Sequence, residues 1–206
     1  MIGPAFAKLD LFTARVLERD SRVTVLASNP SGEFRAHLRN TGRLKDLIYP
    51  GATLVCEWKE TGKTDARVIG ALDDGAYVLL DTRVQEKVVG EILKSGILEW
   101  FPSKVEINSQ VSFEGSRFDF GIEEMSNTGY IELKSAVTCE DGWASYPDAP
   151  SKRGLEHLKL LRRVSLEGHL AYVIFVVTHP NCDKFRPNGE IQPEMAEGLQ
   201  SAKEAG

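Results

Sequence analysis

Between Ser116 and Ser135 the chain alternates apolar and polar residues with a period of two, and this narrows its fold more than any other stretch. Phe118, Phe120 and Ile122 are expected on one face of a strand, and Ile131 and Leu133 on one face of the next. Asp119, Glu132 and Lys134 then fall together on the opposite side. Asn127-Thr128-Gly129 supplies turn material, so the two strands read as a hairpin. Two carboxylates beside one ammonium are equipped to hold Mg²⁺ or Mn²⁺ and to activate water against a phosphodiester. Charged strand residues more commonly form a solvated face, so these residues alone leave both readings open.

A length of 206 residues suits one large domain or two small ones, and 42% hydrophobic content supports a real core. Cys56, Cys139 and Cys182 form no CxxC pair or Cys/His cluster, so buried or idle thiols in a reducing cytoplasm are expected. Met1–Lys8 has no signal-type apolar region. The longest apolar run, Leu170–Val177, is too short to span a bilayer, and no membrane partner is expected. A net charge of −5 argues against a generally sticky nucleic-acid binder. Locally, however, Arg15, Arg19, Arg22, Arg35, Arg39, Arg43 and Lys45 outnumber Glu18, Asp20 and Glu33. Such a stretch either contacts phosphates or forms a solvated face; Arg15, Arg22, Arg35 and Arg39 are the candidates for phosphate.

Residues 1–80 read as short strands separated by turns such as Asn29-Pro30-Ser31-Gly32, which suits a small OB-type barrel. The pattern changes near Asp81. Thr82–Gly96 reads as a helix with Val84, Val88, Val89 and Ile92 within an arc of about 140°. Glu91 flanks that arc, and either reaches a neighbouring sheet or ends the apolar stripe. After the hairpin, Trp143–Pro150 reads as a loop. Ser151 caps a helix running to about Glu167, closed by Gly168. Lys152, Lys159 and Arg163 form a basic stripe on it. Tyr172–Thr178 is expected to be a fully buried strand parallel to Ile131–Ser135, completing a right-handed βαβ unit, and Pro193–Ala205 a last helix. The second half, residues 81–206, is thus α/β with a mixed sheet, following an OB-like barrel in 1–80.

This plan, with Asp119 and Glu132-x-Lys134 on one sheet face and Glu91 approaching from the first helix, resembles the core of the PD-(D/E)xK nucleases. A closer resemblance covers nearly the whole chain. His37-x-x-Asn40-Thr41-Gly42, Pro50-Gly51, Ser116-Arg117-Phe118-Asp119-Phe120, Ile131-Glu132-Leu133-Lys134-Ser135, Tyr146-Pro147-Asp148-Ala149 and Arg153-Gly154-x-x-His157-Leu158 stand in the order of the sugar fermentation stimulation protein A family. That resemblance implies an OB-like domain before a nuclease-like domain, DNA binding, and a regulatory role in sugar metabolism. Three departures stand out. The family has Cys-Pro where this chain has Leu38-Arg39, and Lys where it has Glu156; it also continues into a final strand where this chain ends at Gly206.

The expected function is Mg²⁺- or Mn²⁺-dependent cleavage of nucleic acid. Asp119, Glu132 and Glu91 would be metal ligands, and Lys134 would orient the attacking water. Arg153, His157 and Lys159 join the four arginines as candidate backbone contacts. The alternative is a non-catalytic DNA-binding regulator. DNA is the expected partner, a homodimer is allowed, and the cytoplasm is the expected location.

Overall fold

The structure, a computed structural model, describes residues 9–102, 105–124 and 127–206. The chain divides into two compact units, each built from separate segments. One is Met1–Gln85, Ser135–Asp148 and Val177–Arg186; the other is Glu86–Lys134, Ala149–Val176 and Pro187–Gly206.

In the first unit, β1 (Phe12–Ser21), β2 (Thr24–Asn29), β3 (Gly32–Leu38), β4 (Thr53–Trp58) and β5 (Ala66–Asp73) pair around a closed circuit. The β3–β5 contact is parallel and the other pairings are antiparallel. This is a five-stranded OB barrel, with β6 (Ala76–Leu79) added beside β5. Small and branched residues fill it, among them Ala14, Val16, Val25, Ala27, Ala36, Leu38, Leu54 and Val68. That choice follows from geometry, because a small barrel has room inside only for such side chains. The β2–β3 turn falls at Asn29–Gly32 as expected. Asn29 Oδ1 accepts from the Ser31 amide, and Gly32 adopts φ +126°.

A small sheet of β10 (Thr138–Glu140), β11 (Trp143–Tyr146) and β13 (Lys184–Pro187) belongs to the same unit. Trp143–Tyr146, expected in a loop, is therefore a strand. The reading of idle thiols is also corrected. Cys139 and Cys182 form a disulfide with a Cα separation of 5.9 Å, and only Cys56 is free and buried. The 43-residue separation hides this pair from spacing rules, because it depends on where β13 returns in space.

The motif loops of this unit clasp each other. Asp148 Oδ2 accepts from the Leu44 amide at 3.1 Å, and a Cβ on Gly42 would lie 2.4 Å from that oxygen. Arg19 donates to the carbonyls of Arg22, Gly42 and Arg43. Asn40 donates to Leu80 O and accepts from the Gly42 amide.

In the second unit, a mixed sheet runs in the order β12 (Leu170–Val177), β9 (Asn127–Ala136), β8 (Ser116–Glu124), β7 (Glu106–Phe113). The β8–β9 hairpin forms, but Asn127-Thr128-Gly129 is not its turn. These residues pair with Glu124, Glu123 and Ile122, so the connection narrows to residues 125 and 126, outside the described residues. Gly129 serves packing instead, since a Cβ there would come within 2.5 Å of Leu170. The expectation of full burial for the last strand is also corrected. β12 is an edge strand, and every one of its residues is half-buried.

The helix α1 (Thr82–Ser95) starts at Asp81, whose Oδ1 accepts from the Arg83 and Val84 amides. Its Val89 and Leu93 pack on Phe120, Ile122 and Ile131. A Cβ on Gly90 would lie 3.2 Å from the Phe120 ring, which shows how closely this helix approaches β8. The helix α2 (Lys152–Leu166) is capped by Ser151 Oγ on the Gly154 amide, as expected. Gly198 of α3 (Pro193–Ala205) sits against Leu158 and Leu155 of α2.

Candidate functional site

β9 places Glu132 and Lys134 on the same face, two residues apart, and both are buried, at 7% and 8% exposure. Lys134 Nζ donates to Glu132 Oε1 at 2.6 Å. His157, on α2 and 3% exposed, brings Nδ1 to that same oxygen at 2.6 Å. Glu132 Oε2 is buried and has no partner. An orphaned carboxylate oxygen inside a protein is costly, and a cation is one species that would satisfy it.

Asp119 joins this group through the backbone. Its Oδ2 accepts from the Leu133 amide, the one directly after Glu132, at 2.7 Å. The β8–β9 ladder ends at Phe120↔Ile131, just short of Asp119. The strict alternation expected of β8 breaks at the same point. Phe120 and Ile122 pack with α1, but the Phe118 ring lies 5.3 Å from His157 and 5.4 Å from Tyr130, on the Glu132 side. A side-chain oxygen has taken the place of a ladder carbonyl, and the strand turns with it.

The two carboxylates titrate in opposite senses. Burial, the charge of Glu132 and that of Glu86 push Asp119 up to about 6, against the pull of the Leu133 amide and Lys134. Burial would also raise Glu132, but the His157 hydrogen bond and the Lys134 charge hold it below its ordinary value. Two acids whose environments push them apart are a common mark of functional sites.

The α1 carboxylate whose charge acts on Asp119 is Glu86 rather than the expected Glu91. Glu91 is half exposed and lies 3.9 Å from Lys94. Glu86 is half-buried, acts on Asp119 by its charge, and its Oε1 accepts from Gln110 Nε2. The correction has a geometric cause. The buried side of α1 runs through Val84, Gln85, Val89, Gly90 and Leu93, turned from the expected arc of Val84, Val88, Val89 and Ile92, of which Val88 and Ile92 are only half-buried. At 100° per residue, Glu86 then stands over the sheet and Glu91 about 140° away. Sequence reasoning missed both Glu86 and Gln110. The available signal was Gly90, one turn after Glu86, where a Cβ would crowd the Phe120 ring and hold the helix off β8. Gln110 adopts φ +58° in the middle of β7, a conformation a non-glycine residue seldom takes.

Among the described residues no group of three or more His, Cys, Asp and Glu side chains is placed to hold a metal unaided. A cation at Asp119 and Glu132 must therefore complete its shell with backbone oxygen, water or substrate. That habit belongs to Mg²⁺, which keeps several waters and takes one or two carboxylates.

The expected nucleic-acid contacts divide. His157 is buried against Glu132, so it is not a backbone contact; its burial under α2 hides it from phosphate. Arg153 is exposed and its Nε donates to His157 Nε2 at 3.3 Å; Lys159 is exposed. On the barrel, Arg15 donates to Gly51 O at 2.9 Å and Arg22 to Thr41 O at 3.4 Å. Arg35 is paired with Asp20, and Arg39 is half-buried.

Family models match both parts of the chain: an SfsA N-terminal OB domain over residues 12–80 and a sugar fermentation stimulation protein RE domain over residues 83–206. A sugar fermentation stimulation protein homolog of Pyrococcus furiosus is 35% identical over 95% of this chain and 85% of its own length. Its counterpart in Chloroflexus aurantiacus is 33% identical over 98% of this chain and 79% of its own length. A solved structure of Pyrococcus furiosus SfsA in complex with Ca²⁺ superposes with a TM-score of 0.90 at 34% identity, covering 96% of this chain and 85% of that one. The chain belongs to the sugar fermentation stimulation protein family.

Proposed function

We propose that this protein cleaves nucleic-acid phosphodiesters with the help of Mg²⁺ or Mn²⁺ at Asp119 and Glu132. One observation carries the reading: Glu132 Oε2 is buried without a partner, while Asp119 Oδ2 is fixed on the next amide along the strand, Leu133 N. The related Pyrococcus furiosus protein, described in complex with Ca²⁺, agrees with a cation-binding member of the family. Asp119, Glu132 Oε2 and the Leu133 carbonyl would hold the cation. When bound, it supplies positive charge against the charge that develops on the phosphate. Lys134 would orient the attacking water and stabilise the same developing charge. Glu86, whose charge acts on Asp119, would take up a water of the site. Arg153, Lys159 and the barrel residues Arg15, Arg22, Arg35 and Arg39 would contact the nucleic-acid backbone, with DNA as the first substrate to test.

The test is cleavage of labelled single- and double-stranded DNA and RNA with and without Mg²⁺ or Mn²⁺, wild type beside Lys134→Ala. Cleavage by the wild type should depend on the metal, and the variant should be slower by roughly 10²-fold or more. Equal rates in both would place the activity outside this site.

A second reading, a non-catalytic DNA-binding regulator, is favoured by a different observation. Lys134 is spent on Glu132 Oε1 rather than facing a substrate. Specific DNA binding with no cleavage under any divalent metal would support it.

A further inference from the structure

The motif Arg153-Gly154-x-x-His157 places two residues one turn apart on α2, and they form a relay that ends on the candidate metal carboxylate. Arg153 Nε–H donates to His157 Nε2. That nitrogen is then the acceptor, and the imidazole proton sits on Nδ1. Nδ1 lies 2.6 Å from Glu132 Oε1, a close polar contact whose N–H is not aligned on the oxygen. Lys134 Nζ donates to the same oxygen, so two cation-type groups crowd Oε1 while Oε2 has no partner. The ring is fixed as well as hydrogen-bonded: His157 is 3% exposed, and Phe118 packs 5.3 Å from it.

We infer that His157 is a positioning residue for Glu132: by occupying Oε1 from α2 it fixes the carboxylate so that Oε2 alone is offered to a divalent cation. The physical reason is rotational. A carboxylate tethered only by Lys134 can pivot, because an ammonium follows on its flexible stem and its donors rotate freely. A second donor, mounted on a buried ring and held from behind by Arg153, removes that freedom before the cation arrives. Residues that orient a metal ligand in this way commonly change metal affinity 10- to 100-fold when lost. The inference rests on the cation-site reading given above, and it concerns binding, so its test needs no catalytic turnover.

The experiment is a calorimetric titration of Mn²⁺ alone into the full chain at one fixed pH. Wild type is compared with Glu132→Gln, His157→Phe and His157→Gln, with thermal unfolding run on each variant. His157→Phe keeps an aromatic ring against Phe118 but removes the donor. His157→Gln loses the ring but keeps an N–H that can reach Oε1. Affinity should follow the donor: at least about tenfold weaker in the Phe variant, and close to wild type in the Gln variant. Should the Phe variant not fold, His157→Met removes the donor on a flexible side chain and is read in its place. A donor-free variant that binds Mn²⁺ as tightly as wild type overturns the inference, and so does a Gln variant as weak as the Phe one, because the ring would then matter rather than the hydrogen bond. A wild type that binds no Mn²⁺, or binds it equally after Glu132→Gln, removes the cation site itself and the inference with it.

Discussion

At the scale of single residues, Asp119 is the group whose chemistry is most exposed to measurement. Its carboxyl is raised to about 6 by burial first, then by the negative charges of Glu132 and Glu86. In the metal-free protein the folded state therefore holds this proton more tightly than the unfolded chain. The sign follows: Asp119 contributes stability below its ordinary carboxylate range, near pH 4, and loses it as pH rises through about 6. A cation bound at Asp119 would reverse the balance above that range, because it would compete with the proton for the same oxygens. The carboxyl-carbon shift of Asp119, followed by NMR against pH, should show a midpoint near 6. Glu86→Gln should lower that midpoint by removing a like charge, whereas Glu91→Gln should leave it unchanged. Equal shifts in both variants would mean that Glu86 has no particular hold on Asp119.

At the scale of elements, legibility depended on how local the signal was. The β8–β9 hairpin, the Ser151 cap and the OB-type strands each follow from a few adjacent residues, and all are present. The face of α1 was harder. Its sequence allows two apolar arcs, and the sheet, through Phe120 against Gly90, decides between them. The turn of Phe118 toward His157 depends on a single amide, Leu133, being taken by a side chain. No periodicity encodes that. The Cys139–Cys182 bond is the most distant case, joining β10 to the segment before β13 across 43 residues. Closing a loop of that size removes unfolded-state freedom equivalent to about 4 kcal/mol in the chain-entropy model. Cys139→Ser should therefore lower the unfolding midpoint of the oxidised protein by several degrees, and dithiothreitol should lower the wild type to the same value. A midpoint indifferent to both would show that the bond carries no stability.

At the scale of the whole molecule, an OB barrel and a mixed-sheet α/β unit occur in one chain. Sequence reasoning reached both architectures from the change of pattern near Asp81, but not the return of Ser135–Asp148 and Val177–Arg186 to the first unit, which its division into 1–80 and 81–206 placed in the second. The site lies within the second unit alone: Glu86, Gln110, Asp119, Glu132, Lys134 and His157 all belong to it. The clasp of Asp148 on Gly42 and Leu44, by contrast, belongs to the first unit. The motif residues thus serve two ends, some holding a fold and others arranging an electrostatic site. No helix among the described residues is long and apolar enough to cross a membrane.

Asp119 and Glu132 are proposed to hold one divalent cation between them. Anomalous diffraction from crystals soaked in Mn²⁺ tests this most directly. The predicted result is one peak within coordination distance of Asp119 and Glu132 Oε2, at about 2.0–2.3 Å, with Lys134 nearby and His157 still on Oε1. A Mn²⁺ peak elsewhere, or none while Asp119 and Glu132 are well ordered, would contradict it.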